Sequence, residues 1–214
     1  MVFKRAPVRA TSGVAVAGVL IFAWRAAADS YPGWALLVLA VALLLIVAGL
    51  LAHREVVRRR VRAWAAGWTP AGRVWPWDGL RRQGDIRVPR AWTREVAGLP
   101  VTVGEIRWSG GALAGAVLAR AGRGVFVVVG LPGEAPEMGL RLPYRFVGDW
   151  PRQTDPEVRE AFLDGRIPLW TVRGGELFTI EPRDGLFAGP AVFDRAVRRA
   201  LLAVELLHLA RPHR

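Results

Sequence analysis

Apolar and polar positions follow different rhythms along this chain. Trp34 to Ala52, WALLVLAVALLLIVAGLLA, carries neither charge nor proline. As a helix rising ~1.5 Å per residue it spans ~28 Å, close to the ~30 Å hydrocarbon core of a bilayer. From about Arg94 the pattern shortens to strands. REVAGLPVTVGEIRW reads as one or two strands broken at Gly98 to Pro100. GVFVVVG, residues 124 to 130, is an unbroken β-branched run that predicts a central strand buried on both faces. MGLRLPYRFVG, residues 138 to 148, reads as another strand, interrupted at Pro143. ALAGAVLARAG, residues 112 to 122, fits either a helix or a strand between turns.

The last third is more regular. Thr154-Asp155-Pro156-Glu157 predicts a helix start, through an Asp155 cap or a Thr154–Glu157 capping box. That helix ends at Asp164-Gly165 and turns Val158 and Phe162 inward. IPLWTVRGGELFTIEP predicts a hairpin about Gly174-Gly175. The register opposes Arg173 to Glu176, Val172 to Leu177, Thr171 to Phe178 and Trp170 to Thr179, so opposite charges close the turn. A final helix from about Ala191 to Ala210 carries Phe193, Ala196, Val197, Ala200, Leu201, Val204 and Leu207 at helical spacing. Such a stripe covers one face of a sheet.

Upstream of Trp34, Thr11 to Ala28 is a second apolar segment whose single charge is Arg25. It reads as the first arm of a transmembrane hairpin, turned at Pro32-Gly33, with Trp24, Tyr31 and Trp34 at one interface. The competing reading is a signal peptide, with Ala26-Ala27-Ala28 as the cleavage site.

Charge then sets the orientation. Residues 1–62 hold nine of the 30 Lys+Arg and two of the 18 Asp+Glu, a net +7; residues 63–214 hold 21 and 16, a net +5. Arg54, Arg58, Arg59, Arg60 and Arg62 follow the long apolar run directly. Positive-inside bias places both termini in the cytoplasm, as a multi-pass protein of the inner (plasma) membrane. The same arginines are candidate contacts for anionic lipid headgroups, at ~1 kcal/mol per basic residue near the surface. At ~100° per residue they cannot all share one helix face.

Residues 67–93 show neither period and are rich in Gly, Pro, Arg and Trp, including Trp68, Trp75, Trp77 and Trp92. They read as a linker lying either at the bilayer interface or on the folded domain, with its tryptophans in grooves. Lys4 is the only lysine, asparagine is absent, and Ala, Gly, Val and Arg abound, as in GC-rich coding sequence. The sequence pI of 11.6 is then a poor argument for nucleic acid.

The search for chemistry excludes more than it finds. With Lys4 outside the domain there is no P-loop or Schiff-base lysine. Gly122-Arg123-Gly124 precedes a strand, so it is no dinucleotide fingerprint. Cysteine is absent, Ser109 is the domain's single serine, and His53, His208 and His213 lack ligand spacing. No cofactor or metal is implied. His208 is placed in the last helical turn, where it suits the helix dipole. Asp155, Glu157, Glu160 and Asp164 fit caps and a solvated helix face; Asp149 with Trp150 is left as a candidate partner contact.

The order of features resembles uncharacterised actinobacterial membrane proteins that carry a cytosolic domain of unknown function. The resemblance rests on GRGVFVVVGLP, YRFVGD, DPEVREAF and LWTVRGGELFTIEP, and on the closing amphipathic helix. These motifs are structural and bring no catalytic residues with them.

The expected architecture is α+β. A two-helix transmembrane hairpin (1–62) leads to an Arg/Trp/Pro/Gly-rich linker (63–93). A domain follows (94–214), with a mostly antiparallel sheet, a short helix and a long C-terminal helix. The expected function is a membrane protein presenting a partner-binding, structural or regulatory domain to a protein partner or a second copy. The alternatives are a membrane-tethered enzyme using Asp/Glu chemistry and an anionic-lipid-binding module.

Overall fold

The structure is a computed structural model that describes residues 33–72, 85–109, 121–141, 145–148, 154–183, 185 and 187–210. The chain divides into two compact units, Met1–Glu55 and Val56–Arg214. Helix α1 (Gly33–Trp64) supplies residues to both. In the first unit its apolar side chains are exposed, Leu37, Leu44 and Leu51 among them. Among the described residues it is the one helix long and apolar enough to cross a membrane. The expected first arm, residues 11 to 28, and its signal-peptide alternative lie outside the described residues. One arm of the expected hairpin is therefore seen, and the hairpin itself is not.

The second unit is α+β, with an eight-stranded antiparallel sheet. Its strands are β1 (Thr69–Ala71), β2 (Asp85–Val96), β3 (Leu99–Ser109), β4 (Ala121–Gly130), β5 (Met138–Arg141), β6 (Arg145–Val147), β7 (Trp170–Arg173) and β8 (Glu176–Pro182), in the order β1-β2-β3-β4-β8-β7-β5-β6. Helix α2 (Pro156–Leu163) precedes β7, and α3 (Pro190–Leu206) follows β8. As expected, β4 is central. Val125, Val127 and Val129 point to one face and Phe126 and Val128 to the other, all buried. Helix α3 lies on the first face, burying Phe193, Ala196, Val197, Ala200 and Val204.

The β7–β8 hairpin has the expected register in all four pairs, with Gly174 and Gly175 at φ of 59° and 78°. The closing charge pair is different: Arg173 meets Glu137, 2.6 Å away in the loop before β5. The strand expected over 138–148 is a hairpin, β5 paired with β6, and its Pro143 lies outside the described residues. Asp155 sits at the N-cap of α2 ahead of Pro156 but makes no side-chain capping hydrogen bond.

The stretch expected as a linker is partly sheet: β1 and the first half of β2 fall within 63–93. A bulge between Arg87 and Arg90 hid β2 from the sequence. Its extra residue moves Val88 and Ala91 onto one face despite their odd spacing, and Pro89 occupies the irregularity, where no ladder donor is needed. Trp75 and Trp77 lie outside the described residues. The other tryptophans of this region join the core. Trp64 stacks on Trp68 at 5.0 Å and on Phe193 at 5.2 Å, and meets Trp92 edge-on at 5.7 Å. Its indole N–H donates to Asp194 at 2.7 Å, which satisfies the ring's one polar group. With Val57 and Val61 at helical spacing, Trp64 makes the end of α1 part of the domain core.

Candidate functional site

The site residues named from sequence come first. Arg54, Arg58, Arg59, Arg60 and Arg62 are all exposed, spread around α1 on the positions left by Val57, Val61 and Trp64. Asp149 and Trp150 lie outside the described residues. The carboxylates of α2 do not converge. Asp164 is 3.5 Å from Arg166, and no group of three or more His, Cys, Asp or Glu is placed to hold a metal among the described residues. His208 has left the helix: it adopts φ 57° just past the end of α3, and its N–H donates to the Glu205 carbonyl.

A cleft of about 620 Å³ opens between the β5–β6 hairpin and α2. Leu140, Phe146, Val158, Phe162 and Leu163 line it, with Thr154 and Arg159 as its polar members. It is apolar, and no titratable pair spans it.

The strongest concentration of chemistry is elsewhere. Strand register places Arg87 opposite Arg107, and Arg107 opposite Arg123. Arg183, one residue past β8, continues the row, its N–H donating to the Arg123 carbonyl at 2.9 Å. Directly opposed residues share a sheet face, and like charges so placed repel. This face is the one that carries α3, beyond the reach of its apolar stripe.

One step inward, the register reads Arg90, Glu105, Val125, Glu181. Here the charges form ion pairs, although the buried Glu181 Oε1 and Arg199 Nε make no hydrogen bond among the described residues. Arg90 forks onto Glu105, with Nη2 to Oε1 at 2.8 Å and Nε to Oε2 at 3.3 Å. Arg199, from α3, lies 2.7 Å from Glu181 and donates to the Ile167 carbonyl at 3.2 Å. The next step is apolar: Trp92, Val103, Val127, Thr179, Trp170. The face thus grades from core, through neutral ion pairs, to a row of net positive charge.

Arg183, like Arg123, is half-buried. Its Nε and Nη1 are buried and meet no hydrogen-bond acceptor among the described residues. Burial pulls its guanidinium below the ordinary range; Glu105 raises it again, while Arg123, Arg90 and Arg107 push it lower. Arg141, the other arginine shifted downward by burial, has what Arg183 lacks: a hydroxyl acceptor, Thr171, within the fold and Glu137 nearby.

Sequence reasoning missed this row. Arg87, Arg107, Arg123 and Arg183 stand in DIRVP, EIRWS, GRGVF and EPRDG, which share no motif. Only the register of four strands brings them together. No protein-family model, curated protein or solved structure matches this chain.

Proposed function

We propose that this is a membrane-anchored protein whose α+β domain acts as a binding module at the cytosolic surface of the plasma membrane. The observation that carries the reading is α1. Large apolar side chains from Leu37 to Leu51 are exposed, along a helix long and apolar enough to cross a membrane. An exposed belt of arginine follows at once, as at the cytosolic end of a spanning helix. Residues 11 to 28 serve as the first arm of a hairpin, which brings both termini to the cytosol. The resemblance to two-pass membrane proteins with a cytosolic domain agrees with this topology.

The domain's role is binding rather than chemistry. Its described carboxylates and histidines do not assemble, whereas its arginines do. Two measurements test the anchoring. The full chain stays in the membrane pellet after alkaline carbonate extraction, and a reporter fused after Arg214 reads cytosolic. Release by carbonate, or an external reporter, rejects the reading.

A further inference from the structure

We propose that the cleft between the β5–β6 hairpin and α2 binds an amphiphile made of an apolar chain and a single carboxylate, the chemistry of a fatty acid. This ligand rests on the reading of the domain as a binding module; the anchoring of that module is tested separately, by extraction and by the reporter. The cleft belongs wholly to the unit Val56–Arg214.

Local structure gives the cleft two zones. Residues four apart on a helix are neighbours on its surface, so Val158 and Phe162 form one row of α2 and Arg159 and Leu163 the next. The first row is turned to the core, with Val158 buried and Phe162 half-buried. The second row lies at the open side, and both of its side chains are exposed. Across the cleft, Leu140 and Phe146 are directly paired on β5 and β6 and share a face of the hairpin. Arg145 and Val147 alternate to the opposite face. The floor is therefore hydrocarbon and aromatic, and the mouth carries one guanidinium.

Three observations carry the site. The volume, about 620 Å³, is of the size that takes a small organic molecule. Leu163 at the mouth is 71% exposed, the most exposed large apolar side chain of the domain among the described residues. A chain laid in the cleft would take that surface out of water. Arg159 makes no ion pair and no side-chain hydrogen bond among the described residues, whereas Arg90, Arg166, Arg173 and Arg199 each meet a carboxylate.

Charge then chooses the head group. Arg159 is the one charged side chain among the described residues that line the cleft. Its neighbours along α2, Glu157 and Glu160, are exposed acids. A carboxylate brings a single negative charge and two oxygens, which one guanidinium matches and forks onto. A phosphate, at about −1.5 to −2, exceeds that charge and adds repulsion from the two glutamates. A neutral chain leaves Arg159 without an acceptor.

The test uses the full-length chain in nanodiscs of zwitterionic phosphatidylcholine. The probe is dodecanoate with a diazirine at the far end of its chain, and peptide mapping of the photoproduct is the readout. Labelling is expected to saturate, to fall on the peptides that carry Phe146 and Phe162, and to be displaced by plain dodecanoate. Dodecanol and dodecyl phosphate should each compete about five-fold less well, the upper scale of one exposed ion pair. Arg159→Gln should weaken dodecanoate binding about five-fold and leave dodecanol unchanged, and Arg159→Lys should restore part of the loss. Leu163→Ser should weaken both. Arg159 and Leu163 are exposed, so these variants leave the core intact. Arg145→Gln, on the opposite face of the hairpin, should change nothing.

A photoreactive side chain at the mouth, Leu163→benzoylphenylalanine, separates the ligand from other occupants, including the chain at 142–144 and 149–153, which lies outside the described residues. Capture of added dodecanoate supports the site. Capture instead of a neighbouring stretch of the same chain, a second copy or another protein, undisplaced by dodecanoate, overturns the proposal. So do labelling that does not saturate or misses both peptides, equal competition by the alcohol, and an equal loss in Arg145→Gln.

Discussion

Two ranks on the same sheet face, only a few residues apart along each strand, obey opposite rules. Trp92, Val103, Val127, Thr179 and Trp170 form a row under α3 in which the apolar members gain from leaving water. Arg87, Arg107, Arg123 and Arg183 form a row in which like charges oppose one another across the strands, with Glu105 acting on Arg183 from the next rank. The first row belongs to the core, Trp92 half-buried and the others buried, whereas the second is exposed or half-buried. The rank of ion pairs between them, Arg90–Glu105 and Glu181–Arg199, insulates one regime from the other.

The contrast can be broken from either side. The largest effect is expected in the apolar row. Trp170→Ala removes a side chain that is 1% exposed and should cost about 3–5 kcal/mol. A lower denaturant midpoint at unchanged slope would show it. Next comes the insulating rank. Glu105→Gln leaves Arg90 without its carboxylate and removes an attraction acting on Arg183, an expected loss of about 1–3 kcal/mol. If the midpoint does not move, the ion pair is not what tolerates the arginine row.

The arginine row should respond with the opposite sign. In ligand-free protein Arg123→Gln relieves repulsion across two strands and should stabilise by about 0.2–1 kcal/mol, by the scale of cross-strand pairs. The gain should shrink as salt is added, because screening relieves the same repulsion in the parent chain. A loss of stability would mean that Arg123 is paired rather than strained.

The smallest effect lies at the other end of the same strands. Ala97 holds φ 53° beside Gly98 in the two-residue turn joining β2 to β3. Asparagine tolerates that conformation better, so Ala97→Asn should stabilise by about 0.5 kcal/mol without altering carboxylate binding at the cleft. A change in that binding would show that the turn and the cleft are coupled.

Much of the fold is legible before any tertiary contact is considered. The hairpin at Gly174-Gly175, the central strand at 124–130 and the stripe on α3 depend on turn chemistry and periodicity within one segment. Local sequence encodes these directly, and the observed registers and burial agree with the expectation. The apolar run from Trp34 to Ala52 is equally plain, since length and composition are all it requires.

What fails to show in the sequence fails for identifiable reasons. The bulge at Arg87 to Arg90 breaks the alternation that would have marked β2 as a strand. The tryptophans of 64 to 92 read equally well as interfacial or as core side chains. Only the approach of Phe193 and Asp194, about a hundred residues later, places Trp64, Trp68 and Trp92. His208 passed for a residue of the last helical turn because nothing local marks where α3 stops.

By itself, then, the sequence determined the central strand, the β7–β8 hairpin, the closing helix, the membrane-length helix and the absence of thiol or lysine chemistry in the domain. Composition and short-range period are properties of single segments, so a single chain displays them. The tertiary structure alone decided which arginines stand side by side. Those of α1 are conspicuous in sequence and lie exposed along the helix. Those of β2, β3 and β4, with Arg183, look scattered, yet cross-strand register gathers them and burial strips Arg183 of its acceptors. Register is a relation between distant segments, and the cost of an unpartnered guanidinium exists only once water has been excluded around it.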